Sequence, residues 1–139
     1  MNKEGVMRNI AVKTDELTGA ALDWAVADAI GLPKPKQVDG DGVWHRWYQP
    51  VLSNGEPWGS EECFHPSTDW SQCGPLINRF KVMVDHDFED YSTPKEPCYA
   101  ESNYYWAIGE TELIAICRTI VKRHFGESVN VPAELVETA

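Results

Sequence analysis

Apolar residues recur at helical spacing in two stretches of the chain. From Gly19 to Ile30, Leu22, Ala25, Val26 and Ala29 fall at i, i+3, i+4 and i+7, which predicts an amphipathic helix. Thr18 stands where an N-cap is needed, and Leu17 and Leu22 are spaced as a hydrophobic staple. Gly31 is placed to end the helix, with Pro33 and Pro35 blocking continuation. The second helix is predicted from Glu112 to His124, capped by Thr111 and ended by Gly126. Its stripe is Leu113, Ile116, Cys117, Ile120 and Val121. Glu110 and Glu112 stand at its start and Lys122, Arg123 and His124 at its end, as the helix dipole favours.

Elsewhere the pattern is extended. Ile10–Lys13, Val43–Tyr48, Phe80–Val84 and Tyr99–Ala107 read as strands from their Val, Ile and aromatic content. Residues 49–79 hold Pro50, Pro57, Pro66 and Pro75 with Gly55, Gly59 and Gly74, a density of breakers that predicts a long loop. Trp58, Phe64, Trp70 and Leu76 within it argue that the loop is packed. The expected architecture is α+β: a single domain with two main helices on one face of a small, mostly antiparallel sheet.

Composition narrows the function classes. The 139 residues suit one domain. Acids outnumber bases 22 to 12, for a net charge of −10, which argues against direct nucleic-acid binding through a phosphate backbone. Residues 43–109 carry 10 of the acids and 4 of the bases, densest at Asp85-His86-Asp87-Phe88-Glu89-Asp90. That run superficially matches a calcium loop ending at Glu96, but Asp90 stands where the loop's glycine is required and Pro94 lies inside, so a solvated acidic turn is expected. With no apolar run near membrane-spanning length and no secretory leader, a cytoplasmic protein is expected. Cys63, Cys73, Cys98 and Cys117 form no C-x-x-C pair; reduced, ordinary thiols are expected, in preference to a metal held by Cys63, His65 and Cys73. No metal and no cofactor is foreseen.

Two blocks carry a family likeness: Glu16-Leu17-Thr18-Gly19-Ala20-Ala21-Leu22-Asp23-Trp24-Ala25-Val26-Ala27, and Ser67-Thr68-Asp69-Trp70 followed by Gln72, Gly74-Pro75 and Ile77. With the helix containing Leu113-Ile114-Ala115-Ile116-Cys117-Arg118, the chain resembles the NinX-like family of small tailed-phage and prophage proteins. The resemblance implies a domain over residues 7–139 and an N-terminal extension over 1–6, because many members begin near Met7. Cys73 departs from the Gly that members often carry there. The resemblance implies a phage or prophage gene acting in a bacterial cytoplasm. The family has no assigned reaction, so it supplies no catalytic residue.

The most concentrated polar signal is Ser67-Thr68-Asp69-Trp70 with Gln72. Either these side chains order an Asx- or ST-turn, or they offer hydroxyls, a carboxylate and an amide to a polar ligand beside an aromatic wall. Trp24 lies off its helix's main stripe and reads as core or as a ring facing a ligand. Arg46, among Trp44, Trp47 and Tyr48, would supply an anion contact beside stacking rings. The candidate ligand-binding set is therefore Ser67, Thr68, Asp69, Trp70, Gln72, Trp24 and Arg46. The leading expectation is non-catalytic binding of a small polar, nucleotide-like ligand under the 64–77 loop. The alternative is an acidic interaction protein that engages a host or phage protein as a DNA mimic would. A hydrolase using Ser67, His65, Asp69 or Cys63 ranks third, since no complete catalytic motif is present. Oligomeric state is not read from the sequence.

Overall fold

The computed structural model describes residues 9–31 and 64–137. Strand β1 (Asn9–Lys13) leads through a 3-10 turn (Thr14–Glu16) into α1 (Gly19–Ala29). After residue 64 come α2 (Trp70–Phe80), β2 (Met83–His86), β3 (Cys98–Ser102), β4 (Tyr105–Gly109), α3 (Glu112–Phe125), β5 (Ser128–Pro132) and a last helical turn, Glu134–Glu137. The fold is α+β, as expected, but the strands form two antiparallel sheets: a β1–β5 ribbon and a three-stranded sheet ordered β2-β3-β4. The predicted strand at 43–48 lies outside the described residues.

Helix α3 organises the core. It packs on β3 and β4 on one side and against α1 and α2 on others. Ile116, Cys117, Ile120 and Val121 are fully buried, together with Leu22, Ala25 and Val26 of α1. The ribbon closes an end by directing Val129 and Val131 inward, opposite Val12 and Ile10. Three basic residues of α3 brace the surroundings. The Arg118 guanidinium donates to Leu17 O (2.9 Å), Ile108 O (2.8 Å) and the Glu96 carboxylate (2.8 Å). Lys122 Nζ meets the Asp15 carboxylate at 2.8 Å and Trp106 O at 3.0 Å. Arg123 donates to Phe80 O and Ser102 Oγ.

Several elements correct the sequence reading. Residues 70–80, expected as loop, are helical. Cys73, Leu76, Ile77 and Phe80 make an i, i+3, i+4, i+7 stripe of buried or half-buried positions, and Asp69 caps the helix; these outweigh Pro75 inside it. Phe80 thus ends α2, and the strand expected at 80–84 begins at Met83. The single strand expected at 99–107 is a hairpin. Asn103 and Tyr104, at φ 53° and 73°, make its two-residue turn with both residues in the left-handed region. Strand β5 was not foreseen. Thr111 caps α3 through a bond from Ile114 N, and Gly31 takes φ 87° after α1, both as expected. Thr18 stands at the N-cap of α1 but makes no side-chain cap bond there, and Gly19 enters the helix at φ 56°.

Beyond the sheet's other face, Phe88, Tyr91, Tyr99 and Trp106 pack ring against ring, with centroids 4.3 Å apart for Phe88–Tyr99 and 4.5 Å for Tyr91–Trp106. This apolar footing holds the acidic 87–97 loop, whose Asp87, Glu89 and Asp90 point to solvent. Glu96 is taken up by Arg118, which gives the end of the would-be calcium loop a structural role.

Candidate functional site

Two consecutive residues of α1 face different neighbourhoods. Asp23 is 5% exposed and accepts a hydrogen bond from Ser67 N at 2.8 Å, so it pins the turn before α2 to α1. Burial drives its carboxyl pKa from the ordinary 3.8 up to about 7, against the opposing pull of Ser67. Ser67 Oγ lies near the same carboxylate, is itself buried, and completes no hydrogen bond among the described residues. Cys73 and Cys117 meet beside this carboxylate, and burial first, then Cys73 and Asp23, push the Cys117 thiol up.

The turn itself is densely bonded. Ser71 N and Ser71 Oγ donate to Asp69 Oδ1 at 2.8 and 2.6 Å, and the Ser71 hydroxyl holds the Asp69 carboxyl below its usual range. His65 N donates to Gln72 Oε1 at 2.6 Å, while His65 Nδ1 and Thr68 Oγ1 share a bond at 3.1 Å. Trp70, in the first turn of α2, is 54% exposed. Asp69 and Gln72 thus serve the turn and the helix start. His65 turns to Thr68 and Ser67 to Asp23, so among the described residues Ser67 has no histidine base within hydrogen-bond reach.

Trp24 belongs to the second neighbourhood. With Asp28 one helical turn on, it lines a groove of about 340 Å³ closed by Asn9 of β1, Phe125 at the end of α3, and Ser128, Val129 and Asn130 of β5. The groove sets the buried Trp24 ring and the half-buried Phe125 ring beside a carboxylate, two amides and a hydroxyl, a lining able to hydrogen-bond a small polar molecule. Its volume is at the low end of ligand pockets.

The family profile described as bacteriophage P22 NinX matches residues 13–124, from the end of β1 to the last turn of α3. The chain belongs to the NinX family. The match takes in the Asp23–Ser67 contact, Trp24 and Asp28, whereas Asn9 and the β5 side of the groove lie outside it. No curated protein matches the chain significantly. Among the described residues, no helix is long and apolar enough to cross a membrane.

Of the seven candidate residues, Ser67, Thr68, Asp69, Trp70 and Gln72 are together at the start of α2. Trp24 is buried in the core, where it also lines the groove, and Arg46 is outside the described residues. The groove residues missed from sequence are Asn9, Asp28, Phe125, Ser128 and Asn130. Asp28 was within reach of spacing logic, since it shares the Trp24 face one turn later. The others depend on the ribbon pairing, for which the alternation Ser128-Val129-Asn130-Val131 was a usable signal.

Proposed function

We propose that this NinX-family protein is a non-catalytic phage or prophage accessory protein that acts in the bacterial cytoplasm by binding a small polar, nucleotide-like ligand. The observation that carries the reading is the Trp24 groove. There the buried Trp24 indole backs a groove rimmed by the exposed Asn9 and Asn130, whose amides are able to meet the N–H and carbonyl edges of a base. The Asp23–Ser67 contact and the bonded turn at 65–72 support it by giving the start of α2 a fixed position against α1.

Protein purified from bacterial cells and then denatured should release a small polar compound, identified by mass spectrometry. Protein that releases nothing, and whose melting temperature is unmoved by a panel of nucleosides and nucleotides, overturns the reading.

A second reading rests on the acidic run. Asp85 in β2 and Asp87, Glu89 and Asp90 on the loop anchored by Phe88 and Tyr91 are all exposed, where they would meet the basic face of a host or phage protein. Capture of a basic partner at low salt that is lost at high salt favours this reading; no capture at either salt concentration removes it.

A further inference from the structure

The start of α3 brings together three side chains that the groove and the acidic loop leave unused. His86 is the last residue of β2 and Cys98 the first of β3. The two are direct antiparallel partners, so their side chains leave the sheet on the same face. That face carries Val84, Ala100 and Ala107 and receives α3. On the other side of Cys98 its partner is Gly109. A Cβ on Gly109 would lie 2.7 Å from Ala115 N and 2.8 Å from Ile114 Cγ2, so only glycine lets the first turn of α3 settle this close to the sheet. Glu112, in that first turn, thereby reaches His86, with Oε2 2.8 Å from Nε2. The nitrogen, the sulfur and a carboxylate oxygen all lie within 4.8 Å of one another.

We infer that His86, Cys98 and Glu112 form a binding site for a divalent transition metal, Zn²⁺ by chemical class, with a fourth position left to water. The donor set is the main argument. Thiolate and imidazole together select zinc over magnesium or calcium, and carboxylate is a regular third zinc ligand. Tetrahedral bonds of roughly 2.0–2.3 Å place neighbouring ligand atoms about 3.3–3.6 Å apart. The His86–Glu112 contact has to open slightly and the thiol, already within 4.8 Å of both, to close by at most about 1.5 Å, shifts within the reach of side-chain torsions.

The Glu112 and Asp87 carboxylates set negative charge near the Cys98 sulfur, which a cation would neutralise. Binding would release the thiol proton to solvent and engage His86 through the lone pair of a ring nitrogen. Exposure is graded to suit an open position, with Cys98 buried at the floor and the His86 and Glu112 side chains 54% and 39% exposed.

The test is a Co²⁺ titration of the reduced full-length protein, followed by absorption. The expected result is one equivalent bound, with a sulfur-to-cobalt charge-transfer band and the strong visible bands of tetrahedral cobalt, bleached by added Zn²⁺. Cys98→Ser should abolish the charge-transfer band. His86→Gln and Glu112→Gln, both at exposed side chains, should each weaken binding by roughly tenfold or more, since even loss of a residue that only supports a ligand costs that much. If Cys98→Ser fails to fold by circular dichroism, those two variants decide. Absence of the band in the wild type overturns the proposal. So does a band that persists in folded Cys98→Ser, or cobalt binding unchanged in both His86→Gln and Glu112→Gln.

Discussion

Asp23→Asn isolates the energetic consequence of burying a carboxyl between α1 and the turn before α2. Asparagine keeps the oxygen that accepts from Ser67 N, and it can offer its amide to Ser67 Oγ, which completes no hydrogen bond among the described residues. What it removes is a titration. With a native pKa of about 7 against 3.8 in the unfolded chain, the native state holds a proton that the unfolded chain has already lost between those values. Stability conferred by this group is therefore complete below pH 3.8 and declines as pH rises through about 7. The full difference corresponds to about 4 kcal/mol, of which about 3 kcal/mol falls between roughly pH 4.5 and 8. Urea denaturation of both proteins across that range, followed by far-ultraviolet circular dichroism, cancels the other titrating groups. The stability of Asp23→Asn relative to wild type should climb by about 3 kcal/mol from the acid to the alkaline end. A difference that stays flat to within about 0.5 kcal/mol would refute the reasoning, because it would mean that the folded state hydrates Asp23 as well as the unfolded chain does.

Five further substitutions probe the frame, each read by chemical denaturation. Ile116→Ala empties a fully buried position of α3 and should cost about 2–5 kcal/mol; a loss below about 0.5 kcal/mol would place Ile116 off the core. Arg118→Ala leaves Leu17 O, Ile108 O and Glu96 without their shared donor and should cost about 3–5 kcal/mol, far more than a surface ion pair would. Thr18→Ala should be nearly silent, since Thr18 makes no cap bond, while Gly19→Ala should cost about 1–2 kcal/mol at its positive φ. Gly109→Ala should cost about 1–3 kcal/mol by pushing α3 from β4; an unchanged midpoint would mean that the helix start yields freely.

How much was legible followed from how local each determinant is. The α1 and α3 stripes and the Thr111 cap are written in residues three or four apart, and the structure has them. Helix α2 carried the same kind of stripe, but Gly74-Pro75 was given more weight than a helix capped by Asp69 allows. The hairpin between β3 and β4 was hidden because Asn103-Tyr104 puts a tyrosine where a glycine usually marks the turn. Nothing in the spacing of Arg118 and Lys122 tells which groups they meet; only the tertiary arrangement brings carbonyls and carboxylates to them. At the candidate site, the chemistry of Ser67–Gln72 was visible but its bonding was not, since Asp69 is committed to Ser71 and Gln72 to His65. The Trp24 groove and the His86–Cys98–Glu112 cluster both depend on strand pairings between distant segments, which residue spacing does not encode.

The most direct measurement of the central claim is equilibrium dialysis of wild type and Asn130→Trp against a panel of nucleoside mono-, di- and triphosphates. Asn130 is exposed on β5, so an indole there fills the groove without disturbing the core, which far-ultraviolet circular dichroism would verify. The account predicts that wild type retains at least one member of the panel and that folded Asn130→Trp loses it. Retention of none, or equal retention by both proteins, would contradict it.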